Sequence, residues 1–171
     1  MNPISDIVIP VAAILVPTAI AIWLARSERK SAERSRYLER RTAAAEPIIL
    51  SLAQFISLDP VHEPIQAHLR ELRGRIAVYR TTLDTEDALS GDWLALQHER
   101  GMLLWWSAMQ TMDGSTDRSE AFILGAFSEG RTWANATMQT LSGWLAGHIS
   151  DDVLKRQGAA LMKHEGETSE A

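Results

Sequence analysis

Histidine and acidic side chains are the residues of this chain that could take part in metal or acid–base chemistry. The five histidines are His62, His68, His98, His148 and His164. Helical proteins that hold metals between facing helices pair Glu with a His three residues later, and this pair does not occur in the sequence. A His-Glu-x-x-His run is also missing, and His62 with Glu63 falls in a proline-flanked turn. The sequence therefore predicts no metal site and no cofactor.

The sequence also lacks the motifs of a serine nucleophile and of a phosphate-binding loop. The run from Gly125 to Gly130 contains a serine, but its spacing misses that of a nucleophile elbow, and it falls in a predicted helix. No glycine-rich loop ends in Lys and Ser or Thr, and no dinucleotide fingerprint is present. Adjacent charges such as Glu99 and Arg100, or Glu129 and Arg131, are typical of structural pairing on helix faces. We therefore predict no catalytic residue.

Composition and charge exclude further classes of function. The chain has no cysteine, which excludes disulfides and thiolate chemistry. Lys and Arg number 17 against 22 Asp and Glu, and acidic residues outnumber basic ones beyond Arg41. Because phosphate binding requires a net basic face, we expect no nucleic-acid partner. A hydrophobic content of 46% with six Trp favours a folded domain.

The segment from Ile7 to Ala25 is apolar and contains no ionisable side chain. A helix of that length, at about 1.5 Å per residue, nearly covers the ~30 Å hydrocarbon layer of a bilayer. A cleaved signal peptide would carry Lys or Arg before the apolar run, where this chain has only Asp6. The sequence therefore predicts an integral membrane protein with a single transmembrane helix.

Basic residues on one flank of this segment predict its orientation. They are Arg26, Arg29, Lys30, Arg34, Arg36, Arg40 and Arg41, whereas the other flank has none. Basic flanks stay in the cytoplasm, so we expect the N-terminus outside the inner or plasma membrane and the remaining chain inside. Trp23, Arg26, Arg29 and Lys30 are the residues that we expect to contact lipid headgroups. The alternative is that the basic segment forms a solvated stalk.

Small residues recur every fourth position within the predicted span, at Ala13, Pro17, Ala21 and Ala25. Such a stripe lets two transmembrane helices approach closely, so it predicts a candidate interaction surface for a homo-oligomer. Pro10 and Pro17 each remove a backbone hydrogen bond and can kink the helix. The alternative is that Ala and Pro are simply common in membrane helices.

Apolar residues spaced three and four apart predict helices throughout the rest of the chain. Pro47 suits the first turn of the first of them, or a kink. We predict an all-α chain in which a transmembrane helix (1–25) continues into a basic juxtamembrane helix (26–45). A four- or five-helix, mostly antiparallel bundle (46–164) and a disordered acidic tail (165–171) follow. The stripes are Ala45, Ile48, Leu52 and Phe55; Ile65, Leu69, Leu72, Ile76, Tyr79 and Leu83; Ile123, Phe127, Gly130, Ala134, Thr137, Leu141, Trp144 and His148; and Val153, Leu154 and Leu161.

Two adjacent tryptophans, Trp105 and Trp106, mark a helix predicted from about Trp93 to Met112. Its second half is apolar on nearly every side, which is typical of the central helix of a bundle. Adjacent side chains on a helix point about 100° apart, so one of the two rings is a candidate for a partner surface. The alternative is that both belong to the core. Glycines at 125, 130, 143 and 147 indicate close approach of a neighbouring backbone to the next helix.

Together these features favour a membrane-tethered interaction or adaptor module on the cytoplasmic face, with an unidentified protein partner. Tethering raises the effective concentration of such a domain at the membrane. One alternative is an enzyme whose polar site is dispersed over several helices. Another is a signal relay in which the proline-containing span transmits a cue to the bundle.

Overall fold

The computed structural model describes residues 23–85 and 87–163 in full, and residues 3–22 and 164–169 by their backbone only. All regular secondary structure in this part of the chain is helical, which confirms the all-α prediction. The chain divides into two compact units between Arg40 and Arg41. The helices are α1 (Pro3–Ser57), α2 (Ile65–Thr82), α3 (Ala88–Gly114), α4 (Glu120–Ala126), α5 (Ser128–Leu145) and α6 (Asp151–Ser169).

The N-terminal unit is fully described only from Trp23 to Arg40, where it is helical and mostly exposed. Arg29 Nε lies 3.3 Å from Glu33 Oε1, and Ser35 Oγ donates to Glu39 Oε1 at 3.4 Å. Pairs four residues apart on an exposed helix add about 0.2–0.5 kcal/mol each. Local pairing therefore supports this charged part of α1.

No helix within residues 23–85 and 87–163 combines the length and the apolar character that a membrane crossing requires. The predicted span from Ile7 to Ala25 lies outside these residues except for its last three positions. The predicted disordered tail, 165–171, likewise lies outside the fully described part of the chain.

Residues 41 onward form a bundle in which neighbouring helices run antiparallel. Their directions follow from contacts that join later residues of one helix to earlier residues of its neighbour. Helices α1, α2, α3 and α5 consequently run alternately up and down, and the all-helical chain is consistent with the predicted helical bundle. These contacts are Arg75 with Pro47 and His68 with Phe55 (α1 and α2), Arg80 with Asp92 and Leu69 with His98 (α2 and α3), Gln97 with Thr137 and Trp105 with Gly130 (α3 and α5), and Arg41 with Trp144 and Leu58 with Arg131 (α1 and α5).

The predicted apolar stripes form the core of this bundle, and α3 lies at its centre, packed against α2, α4, α5 and α6. Residues at the stripe ends are less buried: Leu83, Ile123, Val153 and Leu161 are only half-buried, and His148 is exposed beyond the end of α5. The fully buried members include Ala45, Ile48, Leu52, Phe55, Leu72, Tyr79, Ala134 and Leu141.

Two tryptophan rings and two glycines interlock α3 with α5. The Trp105 ring of α3 lies over Gly130 of α5, where an added Cβ would come within 2.8 Å of Trp105 Cε2. Reciprocally, a Cβ on Gly101 of α3 would overlap the Trp133 ring of α5. We predicted that these glycines allow a neighbouring backbone to come close, and this was wrong. The Trp105 ring, a side chain, occupies the space beside Gly130, and no atom lies within 4 Å of a Cβ added to Gly125.

Phe127 separates the stripe that we predicted as one continuous helix into α4 and α5. Its backbone (φ −97°, ψ 5°) leaves the α-helical region, and its ring packs 5.3 Å from the Trp105 ring. At the other end of α5, Gly147 adopts φ +76°, the left-handed conformation that commonly ends a helix. The described part therefore contains one more helix than the upper number predicted for the bundle.

Pro47 does not take the first-turn position that was one of its two predicted roles, and α3 starts earlier than predicted. Pro47 lies inside α1 and does not begin a helix. Its carbonyl accepts a 2.6 Å hydrogen bond from Arg75 Nη1, and packing around it offsets the ~3 kcal/mol cost of an internal proline. Helix α3 begins at Ala88, ahead of the predicted start at about Trp93, and Ser90 and Gly91 near this start are buried against α2.

Arg41 belongs to the bundle although we predicted it as part of the basic juxtamembrane segment. Its Nη1 lies 2.7 Å from Asp87 Oδ2, and its guanidinium carbon lies 4.3 Å from the centre of the Trp144 ring. Trp144 Nε1 in turn donates to Asp151 Oδ1 at 2.7 Å. This residue therefore joins α1 to α5 and to the loop before α3, and only 11% of its side chain is exposed.

Candidate functional site

A groove of about 290 Å³ between α2 and α3 contains the most exposed tryptophan of the bundle, Trp106. We call it the Trp106 groove. Helices α2 and α3 are antiparallel. Each contributes side chains from successive turns to one side of the groove. The lining residues are Gln66, Leu69, Arg70 and Arg73 from α2, and His98, Met102, Trp106 and Met109 from α3.

Trp105 and Trp106 differ completely in their surroundings. Trp105 is fully buried, with its ring centre 5.3 Å from that of Phe55, whereas Trp106 is 53% exposed. Next to Trp106, Met102 is 45% exposed and Leu103 is 57% exposed, so the apolar surface continues along α3. Exposed aromatic and methionine side chains are enriched at protein–protein interfaces. Of the two candidates predicted from the sequence, Trp106 is thus the one accessible to a partner.

The rim of the Trp106 groove is positively charged. Arg70 and Arg73 are exposed, and neither forms an ion pair with any residue that the structure describes. The neighbouring Glu71 instead pairs with Arg75, at 2.5 Å. An apolar floor with two free guanidinium groups suits a ligand that has both apolar and carboxylate side chains.

His98 forms part of the groove floor and is held in place by the backbone of α2. Its Nε2 lies 3.0 Å from the Leu69 carbonyl oxygen, which can only accept, so this nitrogen carries the proton. The lining of the groove contains no carboxylate that could act as its acid–base partner. Within the described part of the chain, no three His, Asp or Glu side chains are grouped to hold a metal ion.

Three titratable groups with shifted pKa values lie away from this groove. A hydrogen bond with His62 lowers the pKa of Asp59, and the backbone N–H of Ser119 lowers that of Asp117. Burial raises the pKa of Tyr79, whose hydroxyl lies 3.1 Å from Ser90 Oγ. The two aspartates organise turns between helices, and Tyr79 packs in the core, so all three positions are structural.

Of the other residues predicted to interact, those with described side chains are exposed. Trp23 is 69% exposed, and Arg26, Arg29 and Lys30 are exposed on α1. Ala25, the last residue of the small-residue stripe, is exposed as well. The other stripe residues, Ala13, Pro17 and Ala21, lie outside the described side chains. Contact of these residues with lipid or with a second copy stays a prediction.

Arg131, which we considered together with Glu129 in the sequence, has a structural role. Arg131 does not pair with Glu129; its Nη2 donates to the Leu58 carbonyl at 3.1 Å, just past the end of α1. A cation at this position satisfies a free carbonyl and is favourable for the helix dipole.

A second groove, of about 720 Å³, lies on the opposite side of α3 and was not predicted from the sequence. Its floor comes from α3 and its walls from α5 and α6, so its residues are far apart in sequence and form no motif. Most of its polar side chains are amides and hydroxyls, with Arg100 and Glu129 as its two charged residues. We call it the polar groove.

Comparison with known proteins finds no matching family model, no matching curated protein and no matching solved structure.

Proposed function

We propose that this chain is a membrane-tethered adaptor, which is anchored by residues 7–25 and binds a protein partner on the cytoplasmic face through the Trp106 groove. The observation that carries the proposal is the 53% exposure of Trp106 within a groove flanked by the unpaired Arg70 and Arg73. A protein surface that presents a large aromatic side chain in a concave apolar site favours a binding role.

The groove favours one kind of partner, an amphipathic helix with acidic residues beside its apolar face. The lining residues of α2 and α3 recur at spacings of three and four, and a helix that lies between two helices presents side chains at the same intervals. Apolar side chains of the partner would contact Met102 and Trp106, and its carboxylates would pair with Arg70 and Arg73. Charge complementarity of this kind raises both association rate and specificity.

Photocrosslinking tests the groove directly. A photoreactive residue is placed at Met102, inside the groove, and in a control chain at Val78, which is 63% exposed on α2 but outside it. In intact cells we expect a discrete heteromeric adduct from position 102 only. The adduct should disappear when Arg70 and Arg73 are both changed to Glu, and mass spectrometry of the captured peptide should identify an acidic amphipathic segment.

Equal adducts from both positions, or an adduct that survives the double Arg→Glu change, would contradict the proposal. An adduct of the chain with itself would replace the adaptor by a self-associating module. No adduct at either position would remove the groove as the binding surface.

The membrane anchor rests on the uncharged run from Ile7 to Ala25 and the basic flank that follows. The full chain should stay in the membrane fraction after alkaline carbonate extraction, and a variant with Ile14→Lys and Ile20→Asp should be released because charges inside the bilayer are costly. Since the chain has no cysteine, Asn2→Cys and Lys163→Cys report the orientation without background. Only Asn2→Cys should react with an impermeant thiol reagent in intact cells.

The small-residue stripe is proposed as the surface through which two spans associate. Ala21→Leu inserts a large side chain into that stripe and should reduce crosslinked dimers in membranes, whereas Ile20→Leu is the matched neutral control. Unchanged dimer yield with Ala21→Leu would show that the stripe is not the dimer face.

A further inference from the structure

Two glutamine side chains in the polar groove, Gln97 and Gln157, each bind a neighbour through the amide oxygen and leave the amide nitrogen free. Trp93 Nε1 donates to Gln157 Oε1 at 3.1 Å, and because an indole nitrogen only donates, the oxygen of Gln157 must face it. Thr137 Oγ1 donates to Gln97 Oε1 at 3.3 Å. Neither Nε2 has a hydrogen-bond partner among the residues that the structure describes. Each glutamine therefore presents two unused N–H donors.

The amide nitrogen of Gln97 is accessible from the groove although most of the residue is buried. Only 7% of Gln97 is exposed, and it lies on the α3 floor of the groove. A ligand that supplies an acceptor at this point can take the place of water on this nitrogen. The groove volume, about 720 Å³, lies within the roughly 300–1,000 Å³ range of small-molecule sites.

The lining of the polar groove contains one positive and one negative side chain that do not pair with each other. Arg100 on α3 and Glu129 on α5 both line it, and neither forms an ion pair with a described residue. A guanidinium group binds a carboxylate through two parallel hydrogen bonds, and a carboxylate binds an ammonium group. The groove thus offers one site for each charge of a zwitterion, with amide donors on the same lining.

Leu104, Ala136 and Leu161 supply the apolar part of the lining. Backbone carbonyls of a peptide match the glutamine donors, its two ends match Arg100 and Glu129, and its side chains match these apolar residues. We propose that the polar groove binds a short peptide with free termini, with carbonyls accepting from Gln97 and Gln157, the carboxyl terminus at Arg100 and the amino terminus at Glu129. This site is independent of the Trp106 groove, which lies on the opposite face of α3.

Equilibrium dialysis of the full chain in mild detergent tests this proposal. The probe is a mixture of tripeptides built from Ala, Leu, Ser and Gln with free termini, and mass spectrometry measures which of them the protein retains. The comparison mixture has the same sequences with acetylated and amidated ends. We expect retention of free tripeptides and about tenfold weaker binding of their capped forms, because capping removes the charge-assisted hydrogen bonds.

Substitutions then separate a direct contact from a loss of structure. Gln157→Glu keeps an acceptor for Trp93 Nε1 but removes the free N–H donors, and Arg100→Gln removes the carboxylate partner. Each should weaken binding of a retained tripeptide about tenfold or more. The control is Gln139→Glu, which adds the same charge at an exposed position of α5 outside the groove.

Failure of the protein to retain any free tripeptide would overturn the proposal, as would equal retention of capped and free mixtures. Equal weakening by Gln139→Glu and Gln157→Glu would also overturn it, since a general charge effect would then explain the loss. Thermal unfolding of each variant, followed by circular dichroism, checks that the bundle remains folded. None of these outcomes depends on the adduct at position 102, so the two proposals fail separately.

Discussion

Helix α3 meets α5 and α2 in two different ways. Towards α5, the contact depends on shape: Trp105 and Trp133 fill the space left by Gly130 and Gly101, and neither indole Nε1 has a hydrogen-bond partner in the described part of the chain. Towards α2, polar contacts are frequent, such as His98 with the Leu69 carbonyl and Tyr79 with Ser90.

This difference explains why the surface proposed for partner binding lies on the α2 side. The rings that fill the glycine notches pack α3 directly against α5, so Trp105 and Trp133 are buried on that side. On the α2 side the polar contacts hold the two helices together, and Met102 and Trp106 remain exposed between them. The tight contact with α5 positions α3, and the looser contact with α2 leaves space for the Trp106 groove.

Removing the Trp105 ring should have the largest effect on stability. Trp105→Ala deletes a fully buried side chain that touches Phe55, Phe127 and α5, and we expect a loss of about 3–5 kcal/mol. Denaturant unfolding of the full chain in detergent measures it. A loss below about 1 kcal/mol would mean that the interlock contributes little.

Filling a glycine notch should have the next largest effect. Gly101→Ala places a methyl group in the Trp133 ring, so we expect about 1–3 kcal/mol of destabilisation despite the better helix propensity of Ala. Gly74→Ala is the matched control, because nothing lies within 4 Å of its added Cβ. That variant should gain up to about 1 kcal/mol, since Gly74 lies in the interior of α2. Equal effects of both substitutions would contradict the shape-dependent contact.

The polar side of the comparison is tested by Tyr79→Phe. Deleting the hydroxyl should cost about 0.5–1.5 kcal/mol near neutral pH, because Ser90 Oγ keeps its bond to the Asp87 carbonyl but loses the one to Tyr79. Burial raises the pKa of Tyr79, so the unfolded chain loses this proton first as pH rises. Its contribution is complete below about pH 10 and declines as the pH approaches the folded pKa. Stability of Tyr79→Phe should therefore fall less steeply than wild type above about pH 10, as measured by denaturant midpoints.

The smallest effect on stability is expected at the exposed tryptophan. Trp106→Ala should change the free energy of unfolding by no more than about 0.5 kcal/mol, because half of its side chain is already in water. The same substitution should abolish the crosslinked adduct formed from position 102. A large loss of stability would instead assign Trp106 to the core and weaken its role in binding.

Much of the fold could be predicted from local spacing. Stripes such as Ile65, Leu69, Leu72, Ile76 and Tyr79 are all buried, because one helix face must turn away from water whatever its neighbours are. Positions that break a pattern were predicted less well. Pro47 and Ser90 lie inside helices because contacts from other helices offset their poor local preference.

Candidate sites were predicted far less completely. Two adjacent tryptophans indicated that one ring could be exposed, but the choice between them depends on where α5 and Phe127 pack. Gln97 and Gln157 were not singled out from the sequence, and Arg100 was interpreted only as a structural charge beside Glu99, since each is an ordinary residue on its own helix. Their combination exists only where α3, α5 and α6 meet.

Local spacing and residue type were enough to predict most of the helices, their buried faces and the uncharged segment from Ile7 to Ala25, because these features depend on nearby residues. The burial of Trp105, the exposure of Trp106, the place of Arg41 in the bundle and the two grooves beside α3 became visible only in the folded chain. Those outcomes depend on contacts between residues far apart in the chain, whose partners local spacing does not specify.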